Sequence, residues 1–305
     1  MTAKYVLTVI AQAPDADHEA LSTFGSNFVT KTLNIDGYTT RVLGQRAIDY
    51  YFDTTNSEQI HKTIKDLIPI QSYDVIFQDA DSRKCKKLFI FDMDSTLIYQ
   101  EVIELIAAYA DIEDKVAEIT TRAMNGELDF NASLHERVQL LKGIDASTLW
   151  DELKHKIVIT KGVKELTKAL LKLGIVTGVC SGGFIPLAEH VKTQLGLNYA
   201  YANTLGVDKD MKLDGTTIGP IVNGDKKADL LLEIAKNHHI DPKDAVAVGD
   251  GANDLKMMGL AGFGIAWNAK PKVQQVAPCC LNSDTLQDVL YIMGYNDEEI
   301  AKLVE

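Results

Sequence analysis

Apolar and polar positions alternate in two distinct ways along this chain. Residues 4–11 (KYVLTVIA), 38–52 with a break near Gly44, and 72–79 carry short strand-like runs, separated by helical patterns over 16–33 and 56–68. The order is β-α-β-β-α-β, the split pattern of ferredoxin-like α+β units. Asp79 to Lys87 is polar and charged and suits a linker.

Beyond it the runs change character. Leu88-Phe89-Ile90-Phe91 is too short for a helix, has no polar face, and stops abruptly at Asp92-Met93-Asp94-Ser95-Thr96. A strand covered on both sides reads this way. Ile175 to Cys180 ends likewise in Ser181-Gly182-Gly183, and Ala245 to Val248 in Gly249-Asp250-Gly251-Ala252-Asn253-Asp254. Helical patterns at 162–173 and 226–238 lie between these strands, which predicts a Rossmann-like parallel α/β sheet. Ligands of such sheets bind beyond the carboxyl ends of the strands, so the three polar clusters are expected to converge on one crevice.

The stretch 101–159 is mostly helical, with Leu134, Val138 and Leu141 on one face and Gly143 as a stop. It predicts a helical cap inserted after the first core strand. Turn residues within 200–222 predict a β-hairpin. The expected organisation is an α+β unit over 1–84 and an α/β unit over 85–305.

Composition narrows the partners. Among 305 residues, 31 Lys and Arg face 43 Asp and Glu, a net charge of −12 that argues against nucleic acid or an anionic membrane as partner. Four cysteines without CxxC spacing, and a start without a secretory pattern, suggest reduced thiols and a cytoplasmic location. The sequon-like Asn131-Ala132-Ser133 therefore reads as a helix start. His238-His239 closes a helix, and Asp208-Lys209-Asp210 belongs to a hairpin turn.

The strand-end clusters carry the chemistry. Asp92 and Asp94, two apart, can aim at one ligand. One carboxylate can attack phosphorus while the other serves as general acid and then general base. Two anions facing a phosphate need a dication, and an all-oxygen donor set with Asp250 favours Mg²⁺ over zinc. Ser181 and Gly182, read as the opening of a helix, offer a hydroxyl and a backbone N–H to phosphate oxygens. A lysine at the start of the 226–238 helix can neutralise charge on a transferring phosphoryl group, and composition gives no reason to prefer Lys227 to Lys226.

Taken in order, DMDST, SGGF, the lysine of KKAD and GDGAND resemble the four motifs of the haloacid dehalogenase superfamily of phosphatases, over about residue 86 to the C-terminus. The stretches Asp92 to Glu101 and Phe130 to Val138 are similar to the phosphoserine-cleaving branch. The resemblance implies Asp92 as nucleophile, Asp94 as acid and base, and Mg²⁺ on Asp92, Asp250 and the Asp94 carbonyl. It further implies Ser181, Gly182, Lys227 and Asn253 on the phosphate and Asp254 orienting the lysine. In the cap, Glu101 would meet the substrate ammonium and Arg137 its carboxylate; without the resemblance both pass as surface charges. The N-terminal unit resembles ACT-like regulatory domains in element order. Hydrolysis of another small phosphomonoester, phosphoryl transfer from one onto an alcohol, and an inactive amino-acid sensor stay open as alternatives, as does a homodimer.

Overall fold

The computed structural model describes residues 3–305; Met1 and Thr2, where the first expected unit begins, lie outside the described residues. The N-terminal unit runs β1 (Tyr5–Ala11), α1 (His18–Asn27), β2 (Thr39–Gly44), β3 (Ala47–Phe52), α2 (Ser57–Leu67) and β4 (Tyr73–Asp79). Its sheet has the order β2-β3-β1-β4 and is antiparallel throughout. Alternation along β1 sends Leu7 and Val9 to the helices, while Val6, Thr8 and Ile10 face the other way. That second face is buried too: Ile10, Ala47 and Ile76 join the core of the larger unit.

The expected linker is no loose tether. Arg83 is buried, with two guanidinium nitrogens on Asp49 at 3.0 and 2.6 Å and a further bond to the Tyr51 hydroxyl. A side chain on Gly294 would collide with that guanidinium, so glycine is required there. Arg46 reaches Asp288 at 2.6 Å, Gln78 donates to the Ile292 carbonyl at 2.7 Å, and Asn282 N–H donates to Asp74 at 2.8 Å. The polar letters of 79–87 therefore conceal a structural plug, because a bidentate arginine can be buried when its partner carboxylate is buried with it.

The larger unit begins with β5 (Leu88–Phe91), after which four helices, α3 (Val102–Tyr109), α4 (Glu113–Met124), α5 (Phe130–Leu140) and α6 (Ala146–Lys154), fill the expected cap segment. Then come α7 (Val163–Lys172), β6 (Val176–Phe184), α8 (Ile185–Leu195), the hairpin β7 (Tyr199–Val207) and β8 (Leu213–Ile218), α9 (Gly224–Asn237) and β9 (Ala245–Gly249). The chain finishes with α10 (Leu255–Leu260), β10 (Phe263–Trp267), α11 (Pro271–Val276), β11 (Cys279–Leu281), α12 (Val289–Ile292) and α13 (Asp297–Val304). The sheet order is β11-β10-β9-β5-β6-β7-β8, parallel except for the last pair.

Register explains why the polar clusters meet. Phe91 pairs with both Val179 and Val248, so Asp92 emerges within one residue of the level of Ser181 and Asp250 beyond neighbouring strands. The side chains of β5 divide between two cores, Phe89 and Phe91 on one face and Leu88 and Ile90 on the other, which is why all four letters are apolar. The two cap connections pair with each other: Ile98 bridges Ile159, Tyr99 N–H donates to Val158 and Thr160 N–H to Leu97. The far end of the cap rests on the hairpin, where Gly143 N–H donates to Leu213 and Ala146 N–H to Met211. No helix among the described residues is long and apolar enough to cross a membrane.

Candidate active site

The site is organised around Lys227. Asn223 caps α9 by accepting from Lys226 N–H at 3.0 Å, and this fixes the helix phase so that Lys227 turns inward and is wholly buried. Its ammonium lies 2.7 Å from Asp92 Oδ1 and 2.7 Å from Asp254 Oδ1. Lys226 stays at the surface side of the same turn, which resolves the choice that composition left open. Asp254 is held by Gly251 N–H at 3.0 Å, and it fits because Gly249 has no side chain; a Cβ there would stand 2.4 Å from the Asp254 carboxylate.

Asp92 follows β5 directly. Its N–H continues the ladder to the Val248 carbonyl, and its Oδ1 accepts from Met93 N–H at 2.7 Å. The chain then turns sharply, with Ser95 at φ 55°, and Asp94 Oδ2 accepts from Val102 N–H at 3.1 Å. Asp94 Oδ1 is buried and has no partner among the described residues. Ser95 Oγ donates to Glu101 at 2.7 Å, and Thr96 Oγ1 donates to Asp250 Oδ1 at 3.3 Å.

On the β6 side, the structure departs from the expectation that Ser181-Gly182-Gly183 opens a helix. These residues prolong β6, and α8 begins only at Ile185. The strand register slips between Cys180 and Phe184, and Asn203 bridges the slip: its amide donates to the Gly182 carbonyl at 2.8 Å while its oxygen accepts from Val222 N–H at 2.8 Å. Two bare residues make the slip possible. A Cβ on Gly182 would meet the Phe130 ring of α5 at 2.8 Å and come within 3.8 Å of the Asn253 amide nitrogen. Ser181 is buried, its Oγ accepting from Gly183 N–H at 2.8 Å.

In the cap, Arg137 on α5 donates to Thr120 Oγ1 at 2.9 Å, and its Nε is buried without a partner among the described residues. Burial lowers its pKa, with Glu101 and Glu104 opposing. A second cap contact joins Asn223 to Asn131 at 3.1 Å. Sequence reasoning passed over Asn203, Ser95 and Thr96. The last two sit inside the DMDST motif, whereas Asn203 is 21 residues from Gly182 and carries no motif of its own.

Charge is unbalanced here. Burial, Asp254 and Asp94 push Asp92 well above the usual carboxylate range, with Lys227 opposing. Burial and Glu101 raise Asp94 to about 8, and burial and Asp254 raise Asp250 to about 6. Burial acts to lower the Lys227 ammonium, but Asp254 and Asp92 outweigh it and hold the group charged. Carboxylate oxygens of Asp92, Asp250 and Asp254 lie within 4.8 Å of one another, an arrangement able to hold a metal. Asp254 already spends both oxygens on Lys227 and Gly251, so the uncommitted donors are on Asp92, Asp250 and Asp94. All are oxygens, and the crowding that raises their pKa values is relieved by a hard dication. The residues fit such an ion.

The haloacid dehalogenase-like hydrolase family model matches residues 86–262. Phosphoserine phosphatase of Saccharomyces cerevisiae is 48% identical over 306 residues, 97% of this chain and 98% of its own length. A crystal structure of a haloacid-dehalogenase-family hydrolase from Salmonella enterica superposes with a TM-score of 0.81 at 27% identity, covering 95% of this chain and 98% of that one. A phospho-aspartyl intermediate analogue of phosphoserine phosphatase superposes at 0.63 with 41% identity, over 68% of this chain and 98% of the other.

Proposed function

The chain belongs to the haloacid dehalogenase-like hydrolases, and on that footing we propose that it acts as a phosphoserine phosphatase, hydrolysing O-phospho-L-serine to L-serine and phosphate as the closing step of serine synthesis. The observation that carries this reading is the division of labour between two neighbouring carboxyls. Asp92 is held against the Lys227 ammonium at 2.7 Å, whereas Asp94 keeps one buried oxygen without a partner among the described residues, and burial and Glu101 push its carboxyl toward the protonated form.

In the first step Asp92 attacks phosphorus, the phosphorus–oxygen bond to serine breaks, and Asp94 gives its proton to the departing alkoxide. In the second, Asp94 takes a proton from water, which attacks the aspartyl phosphate and frees Asp92. Lys227, the Ser181 hydroxyl, the Gly182 N–H and Asn253 face the phosphoryl oxygens and offset the charge that builds there. Asp254 is a positioning residue acting through Lys227. Asp92, Asp250 and the Asp94 backbone carbonyl would hold Mg²⁺, which when bound neutralises the carboxylates enough for a phosphate dianion to approach.

Glu101 and Arg137 give the substrate preference. An ammonium needs a carboxylate and a carboxylate suits a forked guanidinium, and the unpartnered Arg137 Nε is a donor available for it. Residues 85–305 form the phosphatase unit with its cap at about 101–159, and residues 1–84 an ACT-like regulatory unit, the latter supported by strand order alone. The free state of all four cysteines is in keeping with a cytoplasmic setting.

Phosphate release from phosphoserine, phosphoethanolamine and a sugar phosphate, with Mg²⁺ and again with chelator, tests the assignment. Phosphoserine should be turned over fastest and only with the ion. Equal rates on all three, or full activity of Asp92→Asn, would overturn it.

A further inference from the structure

Asn203 lies on β7, two strands from the nucleophile, and is only 2% exposed, so its amide must find its partners inside the protein. Both partners are backbone atoms of segments that carry phosphate-binding groups. The amide nitrogen donates to the Gly182 carbonyl at 2.8 Å, and the amide oxygen accepts from Val222 N–H at 2.8 Å. A carbonyl needs a donor and an N–H needs an acceptor, so the amide fits only one way round.

At the Gly182 end it answers a break in the ladder. Cys180 pairs with Tyr201 and Phe184 with Asn203, so Ser181, Gly182 and Gly183 stand opposite Ala202 alone. Residues bulged in this way lose their ladder partners and must find others. The peptide unit between Gly182 and Gly183 finds one at each end: its carbonyl takes the Asn203 amide, and its N–H goes to Ser181 Oγ at 2.8 Å. A peptide is planar, so pinning the carbonyl sets the direction of the N–H on its other side. Ser181 Oγ accepts there, which turns its own proton away from Gly183 and leaves it to give to a phosphoryl oxygen. At the Val222 end the bonded N–H directly precedes Asn223, the cap of the helix that carries Lys227.

We propose that Asn203 is a positioning residue for phosphoryl transfer, one buried amide that holds the Ser181–Gly183 cradle in register with the start of the Lys227 helix. The Ser181 hydroxyl and the Lys227 ammonium then meet the same phosphoryl group. This rests on the phosphatase reading and deepens it. Asn203 acts through Ser181 and not on the substrate, so its loss is felt by the phosphoryl group and not by the ammonium and carboxylate that Glu101 and Arg137 receive.

Steady-state kinetics of the full chain with Mg²⁺ tests this. Asn203→Asp keeps the size and the acceptor for Val222 but loses the donor to Gly182, while Asn203→Ala loses both without burying a charge. In each, kcat for phosphoserine should fall about tenfold to a hundredfold, within the scale of one transition-state donor, with KM moving less than about twofold. Phosphoethanolamine should lose the same factor, because the cradle is common to both esters. The Ki of orthovanadate, whose five-coordinate adduct mimics the transferring phosphoryl group, should rise about tenfold. A merely structural side chain would lower the amount of active enzyme and leave that Ki where it was. In the double variant with Ser181→Ala, Asn203→Asp should cost less than about threefold more, since it acts through the same hydroxyl. An unchanged Ki, a loss confined to KM, losses that multiply fully in the double variant, or failure of both single variants to fold would overturn the proposal. A wild-type chain that releases phosphate from neither ester would sink the phosphatase reading and this one with it, whereas an active wild type beside an unimpaired Asn203→Asp would sink only the role of Asn203.

Discussion

Ser95 donates its hydroxyl to Glu101 at 2.7 Å across the point where the chain leaves the core and enters the cap. Ser95 sits at φ 55°, a left-handed conformation uncommon outside glycine and asparagine, so the turn that aims Asp94 also aims Glu101. Ser95→Ala keeps the charge of Glu101 but releases its orientation. Its KM for phosphoserine should rise about three- to tenfold, the worth of one charge-assisted hydrogen bond, while phosphoethanolamine, which also carries an ammonium, should suffer alike. Steady-state kinetics on both substrates checks this; an unchanged KM would detach Glu101 from ammonium binding.

Asp94→Asn preserves shape and removes the transferable proton. Turnover should fall about 10²- to 10⁴-fold, the usual contribution of general acid–base catalysis. Circular dichroism and the melting temperature should stay near wild type, since burying a neutral amide in place of a carboxyl with a raised pKa relieves crowding. Retention of more than a tenth of the activity would remove Asp94 from proton transfer.

Lys227→Met leaves Asp92 and Asp254 facing each other in a buried site. Breaking such a pair from one side typically costs about 3–5 kcal/mol, and urea denaturation in chelator should register a loss on that scale. The double variant Lys227→Met with Asp254→Asn should regain part of it, because one uncompensated charge goes with the amide. Activity should be lost in both.

Asp74 supplies a pH signature. Burial raises its carboxyl to about 6 although Asn282 and Gln12 donate to it. A folded-state pKa above the unfolded one means that the native state binds the extra proton, so this residue's contribution to stability is most favourable below about pH 4 and is lost as pH rises through about 6. The difference amounts to about 3 kcal/mol for roughly two pKa steps. Relative to wild type, Asp74→Asn should therefore look better at pH 7.5 than at pH 4. A stability difference that does not move with pH would refute it.

Much of this was legible in the sequence, and for physical reasons. Three short, largely apolar runs with polar ends encode strands covered on both faces, and parallel register brings their ends together. What stayed hidden depended on distant geometry. Phe263–Trp267 and Cys279–Leu281 are strands too short to show a period, and Ser181 to Gly183 looked like a helix start because a slipped strand and a turn share the same small residues. Composition could not tell Lys227 from Lys226; the resemblance chose Lys227, and the Asn223 cap supplies the physical reason by setting the helix phase. Arg83 looked like linker charge because its partner, Asp49, lies 34 residues away.

The pairing of Ile98 with Ile159 brings the two ends of the four-helix insertion side by side, while its helices share the core of the α/β unit. Antiparallel partners stand only about 5 Å apart, so a two-residue turn could close the gap if the insertion were excised. Excision alone would bare the apolar surface that Val102, Ile106, Leu149 and Leu153 cover, so an exchanged insertion at the same seam must bring its own apolar face.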